Sequence, residues 1–371
     1  VYERKLYADP DRFIGGLKVD VYHYPPPFLL LPAALQAVGG DYLGVRPLWF
    51  AIQVLVLLAM LFTIARWLGG REGHAVAVVA PLFFVAPVTL FTLQMGNFQA
   101  TAFALSLLAM IALHAERARV QVAGGFALAF ATLGKVFPGV LGIVLLATRR
   151  WRAVLWTVGA AAVLIAISIA VFGTRPFTDF IGYELPRLAN GEAFPQSERA
   201  QALAANQSFY GLLVKLRALG LDALDQRVGL QMTSIYGLCV LAVACAVSWR
   251  CRRLLLTDRV IALFTWLALL NLASFRSPFV GGGYGMMGTV LLVTLGLAAT
   301  KTRSGRIAWA CLYVAFALIN LIVPTPKATP PLTEIVVLSL FGQLLALAAN
   351  ATVLIATWRA ASRPVTHSTT V

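Results

Sequence analysis

Charge is scarce in this chain. Asp, Glu, Lys and Arg make up 12% of its 371 residues, where a soluble globular protein carries roughly 25%, so water is not its main solvent. Acidic residues are scarcer still, 15 against 30 basic ones, for a formal net charge of +15. The basic residues collect in short gaps between apolar runs, which is a topology signal and not a DNA footprint, and nucleic acid is excluded as a partner. Cysteine is limited to Cys239, Cys245 and Cys311 inside apolar runs and Cys251 in a basic gap. No CxxC spacing occurs, so neither a disulfide nor a metal site is expected. A Walker loop, a dinucleotide-binding glycine pattern after a strand and an HExxH motif are all missing, which argues against ATP-driven transport and zinc proteolysis. No cofactor is expected. Val1 is followed by neither a basic n-region nor an apolar h-region, so a segment before Val1 is expected to target the chain to a membrane.

Long apolar runs dominate instead. Hydrophobic residues make up 60% of the chain, the mean hydropathy is +0.81, and most runs reach the ~20 residues that a spanning helix needs. Spans are predicted near 47–66, 74–93, 97–114, 153–172, 231–249, 259–275, 284–300, 307–323 and 333–358. Between them lie Arg66 and Arg71, Arg117 and Arg119, Arg149, Arg150 and Arg152, Arg250, Arg252 and Arg253, Lys301, Arg303 and Arg306, then Arg359 and Arg363. These clusters mark the cytoplasmic side. Segments 1–27, 94–97, 173–230, 276–283 and 324–332 then face outward, and the tail 359–371 is cytoplasmic. The predicted fold class is all-α, a polytopic transmembrane helical bundle of about 9 to 11 membrane segments forming one membrane domain over 1–371. Its parts are a membrane core at 28–172, an outer loop at 173–230 and C-terminal spans at 231–358. Residues 1–27 lie outside with no way to cross, so a preceding span is expected.

Two apolar stretches resist reading as single spans. Pro25 to Gly39 starts outside and is followed by Asp41 and Arg46; it is either re-entrant or marks a slip of the topology. Val120 to Thr148 has basic residues at both ends and a break in the middle, Gly134-Lys135-Val136-Phe137-Pro138. Two short helices meeting at Lys135 satisfy both ends, because Pro138 lacks an N–H and clashes with the preceding turn. Such breaks survive at membrane depth only where they are buried or line a cavity. In the 173–230 segment, Phe209 to Leu219 carries Lys215 and Arg217 in an amphipathic pattern suited to the membrane interface.

Polar residues at membrane depth are costly, and Lys135 is the clearest case. Two readings stand: an ammonium in a helix break that pairs with a phosphate, or a lysine that snorkels to the interface. At the outer ends of the apolar runs lie Tyr22-His23-Tyr24-Pro25-Pro26-Pro27, Gln94-Met95-Gly96-Asn97, Asn206-Gln207-Ser208 and Arg276-Ser277-Pro278. Their convergence would make a site at a membrane surface, though helix caps and turns use the same residue types. Transfer to a hydroxyl also needs a base. Asp9, Asp11, Asp20, Asp179, Glu184 and Glu192 are the outer carboxylates, while His23 is read as stacking or hydrogen-bonding beside the prolines.

These motifs, in this order, resemble glycosyltransferase family 87 of the C-type superfamily over nearly the whole chain. The matching pieces are Val1-Tyr2, Tyr24 to Leu30 with Pro32, Gln94 to Asn97, Ala131 to Pro138 with Lys135, Arg149-Arg150-Trp151-Arg152, Asn206-Gln207-Ser208 and Ser277-Pro278. The resemblance implies an inverting hexosyltransferase, mannosyl in the first instance, of the bacterial inner (plasma) membrane. Its donor would be a polyprenyl-phosphate sugar, its acceptor a lipid or glycan on the outer face, its setting the lipid bilayer. Lys135 and Arg276 would contact the donor phosphate; His23, Tyr24, Gln94, Asn97 and Asn206 would line the sugar and acceptor pocket. The family's catalytic aspartate lies just after its first span, upstream of Val1. Its Trp-x-His pattern after Ser-Pro is replaced here by Phe279-Val280-Gly281-Gly282-Gly283. A transporter or lipid flippase is the rival reading, since broken helices and a buried cation also describe a substrate pathway. A noncatalytic scaffold is a third.

Overall fold

The computed structural model describes residues 13–14, 17–18, 22–194, 200–322 and 332–362. Val1, Tyr2, Asp9, Asp11, Asp20, Glu198 and the tail from Arg363 lie outside these residues. Apart from an antiparallel pair, β1 (Phe13–Ile14) and β2 (Leu17–Lys18), the described elements are helical.

A 3₁₀ turn, Pro26–Leu29, leads into α1 (Leu30–Gly39). Helix α2 (Tyr42–Leu68) starts where the Asp41 carboxylate accepts the Gly44 N–H at 2.8 Å, satisfying one of the orphan donors of a helix start. The bent pair α3 (Gly70–Val85) and α4 (Pro87–Met95) turns by 63° at Ala86, because Pro87 has no N–H to carry the ladder on. Then come α5 (Gln99–Leu113), α6 (Ala118–Gly134), a 3₁₀ turn Phe137–Gly139, α7 (Val140–Ala147) and α8 (Trp151–Phe172). A folded segment follows: α9 (Arg175–Asp179), a π-helical turn Phe180–Glu184, α10 (Leu185–Asn190), α11 (Ala200–Ala205) and α12 (Phe209–Ala218). The chain closes with α13 (Gln226–Arg250), α14 (Arg252–Thr257), α15 (Arg259–Ser274), α16 (Gly282–Ala299), α17 (Arg303–Ile322) and α18 (Leu332–Ala360).

Each of the nine expected spans falls largely on helix among the described residues. Six helices, α2, α8, α13, α16, α17 and α18, are long and apolar enough to cross a membrane alone, and the α3–α4 pair makes a seventh. Helices α5 and α15, read from the sequence as spans, are 15 and 16 residues long, or about 22–24 Å at 1.5 Å per residue, short of a ~30 Å hydrocarbon core. Both are buried along most of their length and fill the middle of the bundle. Exposure separates the roles of the long helices. The apolar stretch of α16 is 72% buried and that of α8 only 11%, so α16 is the central pillar. Helix α8 turns Leu155, Val158, Val163, Ile167 and Val171 outward, as a lipid-facing helix does. At the centre a polar brace crosses three helices: Asn271 Nδ2 donates to Asn350 Oδ1 at 2.9 Å, and Asn350 Nδ2 reaches Thr289 Oγ1 at 3.4 Å.

The bundle has two unlike ends. At one, Arg150 Nη1 donates to the Leu113 carbonyl at 2.9 Å and Lys301 pairs with Glu72 at 3.3 Å. At the other lie Tyr24, Gly96, Lys135, Asn206 and the start of α16. One expectation is corrected here. The piece 209–219 does not lie on a surface as an amphipathic helix: Gly211, Leu212, Leu213 and Lys215 of α12 are buried, for a reason that belongs to the site.

Candidate functional site

The break between α6 and α7 is where the sequence puts a charge. Lys135 ends α6 in extended backbone (φ −142°, ψ 124°), its N–H still donating to Ala131 O at 2.8 Å. Pro138, in the following 3₁₀ turn, prevents the helix from running on. Gly134 is required by close approach, since a Cβ there would overlap the rings of Phe98 and Phe28. The half-buried Lys135 side chain then turns between two tyrosines. Its Nζ lies 5.1 Å from the centre of the Tyr24 ring and 5.7 Å from that of Tyr284, within the range of cation–π attraction. Among the described residues no carboxylate pairs with it and no hydrogen bond is made by its ammonium.

Aromatic packing fixes Tyr24. Its ring stacks on Phe28 at 4.5 Å and meets the edge of Phe98 at 6.4 Å, while Phe28 packs on Phe98 and Phe130. The prolines that follow restrict the backbone before this cluster. One residue earlier, His23 Nδ1 lies 2.6 Å from Glu184 Oε1. Glu184 is fully buried, and Arg187 Nη1 stands 3.6 Å from its other oxygen. The His23 ring lies 5.2 Å from Phe194, which stacks on Phe279 at 5.7 Å and 25°.

Asn206-Gln207-Ser208 proves to be a knot. Asn206 is 2% exposed; its Nδ2 donates to Pro278 O at 3.0 Å and its Oδ1 accepts the N–H groups of Val280 and Ser208, each at 3.0 Å. Gln207 N–H donates to Val280 O at 2.7 Å, and Phe209 N–H to Phe275 O at 2.7 Å. The amide of Asn206, which the resemblance assigns to the sugar pocket, bonds at both ends to the 276–280 loop. Lys215 Nζ donates to Asn206 O at 2.7 Å and to Gln343 Oε1 at 3.0 Å, which draws α12 inward. No anion pairs with it among the described residues, and burial pulls this ammonium down to about 7.

The other expected residues divide. The turn Gln94 to Asn97 is pinned to α2, with Trp49 Nε1 donating to Gly96 O at 2.8 Å and Gln53 Nε2 to Asn97 O at 2.9 Å; Gly96 takes a left-handed φ of 64° there. Asn97 Oδ1 accepts the Gln99 N–H at 2.9 Å and its Nδ2 makes no hydrogen bond among the described residues, while Gln94 is exposed. Asn97 adjoins Phe98, which packs on Tyr24. Arg276 is exposed, its stem lying over Gly237 of α13, with no contact to Lys135 or Tyr24. Sequence reading missed Tyr284, Lys215 and Gln343. Tyr284 stands in a glycine-rich run, and Gln343 is an isolated amide in an apolar one; those were their only signals.

The structure thus joins Lys135, Tyr24 and Tyr284 in one clamp, sets His23 and Glu184 beside it, and braces the whole with Asn206. No curated protein and no solved structure matches the chain. A sequence model of glycosyltransferase family 87 matches residues 22–278, from Tyr22 to the proline held by Asn206. With that match covering more than half of a multi-pass helical bundle, the chain belongs to glycosyltransferase family 87, a family of glycosyltransferases, and is built as a membrane protein.

Proposed function

We propose that this protein transfers a hexose, mannose in the first instance, from a polyprenyl-phosphate donor to a lipid or glycan acceptor at the outer face of a bacterial inner membrane, with inversion. The observation that carries the reading is the Lys135 ammonium, held at a helix break between Tyr24 and Tyr284 with no carboxylate among the described residues to neutralise it. A cation placed this way attracts an anion strongly, because little water screens it. A phosphate monoester on a lipid chain is an anion that arrives at membrane depth. As the bond from the sugar to the phosphate breaks, negative charge grows on the leaving oxygen, and a fixed positive charge lowers that barrier. The acceptor hydroxyl attacks from the opposite face of the ring and gives its proton to a base. Tyr24 holds the lysine; Gln94 and the free Asn97 amide line the sugar, His23 meets the acceptor, and Arg276, exposed at the same end, supplies a second positive charge. Asn206 serves by holding the 276–280 loop.

Binding of undecaprenyl phosphate to the full-length protein in nanodiscs tests the donor site directly. Saturable binding that Lys135→Ala weakens at least tenfold is expected, and equal binding by the two proteins would remove the phosphate from Lys135.

A further inference from the structure

Beside the lysine clamp stands a second wall that charge does not explain. His23, Phe194 and Phe279 follow one another at 5.2 and 5.7 Å, all half-buried, and the two phenylalanine rings are nearly parallel. Behind them, Glu184 is closed from solvent and balanced by Arg187 at 3.6 Å, so the wall presents aromatic faces and one imidazole edge. We infer that this wall seats the acceptor, and that the acceptor presents a sugar ring to it.

The chemistry runs from the rings outward. A pyranose has a face of C–H groups that lies flat on an aromatic ring, and hydroxyls around its rim; a simple lipid alcohol has neither. Stacked rings offer a platform for that face. The imidazole supplies the polar contact. Its Nδ1 is engaged by Glu184 at 2.6 Å, which leaves Nε2 as the polar edge of the ring, an acceptor in the neutral imidazole and a donor in the imidazolium. With the His23 side chain 16% exposed, Nε2 can hydrogen-bond one sugar hydroxyl, which both donates and accepts. Glu184 is a positioning residue, acting through His23.

The wall also lies where a transfer would need it. His23 is the residue before Tyr24, whose ring covers Lys135. Phe279 directly follows Pro278, whose carbonyl is held by Asn206 and Ser208 at 3.0 and 2.9 Å. Both sides are therefore fixed relative to the lysine clamp. The anionic donor goes to the unpaired ammonium, and the neutral ring to the aromatic wall.

The inference rests on the transfer reading, so its test separates binding from turnover. Equilibrium binding of tritiated octyl mannoside and tritiated octanol is measured on the full-length protein in nanodiscs. Octyl mannoside is expected to bind saturably and octanol not. Phe279→Leu and Phe194→Leu should each weaken the glycoside about tenfold, near 1.4 kcal/mol, with melting curves confirming that both variants fold. Glu184→Gln, whose amide oxygen still accepts from Nδ1, should retain the binding that Glu184→Leu loses. In a transfer assay the same phenylalanine changes should raise the acceptor KM and leave the donor KM alone. Octanol binding as tightly as octyl mannoside, or leucine variants binding normally, would overturn the seat. Glycoside binding that depends on Phe279 in a protein that transfers nothing would sink the transfer reading and leave the seat standing.

Discussion

The Lys135 ammonium lies 5.1 Å from the centre of the Tyr24 ring and 5.7 Å from that of Tyr284. Two π faces hold a cation that no carboxylate neutralises among the described residues, and the site is built around that unbalanced charge. Aromatic faces fix the position of an ammonium without consuming it, as an ion pair would.

The clamp depends on ring faces more than on the tyrosine hydroxyl. Tyr24→Phe should keep polyprenyl-phosphate affinity within about threefold, and Tyr24→Leu should lower it about tenfold, the scale of a desolvated cation–π contact. Equal losses in the two variants would assign the effect to the hydroxyl.

Gly134 sets the clamp through packing. A Cβ at this position would overlap Phe98 and Phe28, so Gly134→Ala must displace the cluster on which Tyr24 stacks. The expected cost is about 1–3 kcal/mol of stability, the usual penalty of overpacking, together with weaker donor binding. Thermal melts of the purified protein read the first; an unchanged midpoint would show that the rings yield freely.

Asn206 is a brace, and its removal should unseat a loop before it touches chemistry. Asn206→Ala deletes three side-chain hydrogen bonds, to Pro278, Val280 and Ser208, and leaves buried backbone groups unpaired, at about 1–3 kcal/mol each when unrelieved. A midpoint several degrees lower is expected, with donor affinity falling in step. Normal stability with selective loss of sugar binding would return Asn206 to the pocket.

Lys215 gives the fold a dependence on pH. Burial lowers it from its ordinary 10.5 to about 7, so between these values the unfolded chain holds a proton that the folded one lacks. Stability from this group therefore rises as pH goes from about 7 to about 10, and the cost is constant below about 7. Lys215→Met should remove that rise, so the wild type should gain stability relative to the variant between about pH 7 and about pH 9 in melts of both proteins. Parallel curves would mean that the ammonium is solvated in the fold.

Apolar length made the helices legible, and the proline beside a charge made the break at Lys135 legible, because both are local facts of chain chemistry. What was hidden depends on distant partners. Lys215 reads as the wet face of an amphipathic helix until Asn206 O and Gln343 Oε1 are placed around it. Asn206 reads as a sugar contact because loops, caps and pockets draw on the same amides, and only the 276–280 loop reveals its use. Tyr284 carries no mark of its own; its meeting with Lys135 is a product of α16 packing beside the α6–α7 break. Glu184 was visible as one carboxylate among several, and its burial under His23 was not.

The most direct test of the account is transfer of radiolabelled mannose from polyprenyl-phosphate mannose to extracted membrane lipids, using the full-length protein in proteoliposomes. The account predicts labelled product with the wild type and a loss of about 10²–10³-fold with Lys135→Ala, the scale of removing one preorganised contact to developing charge. Transfer by Lys135→Ala at the wild-type rate would contradict it.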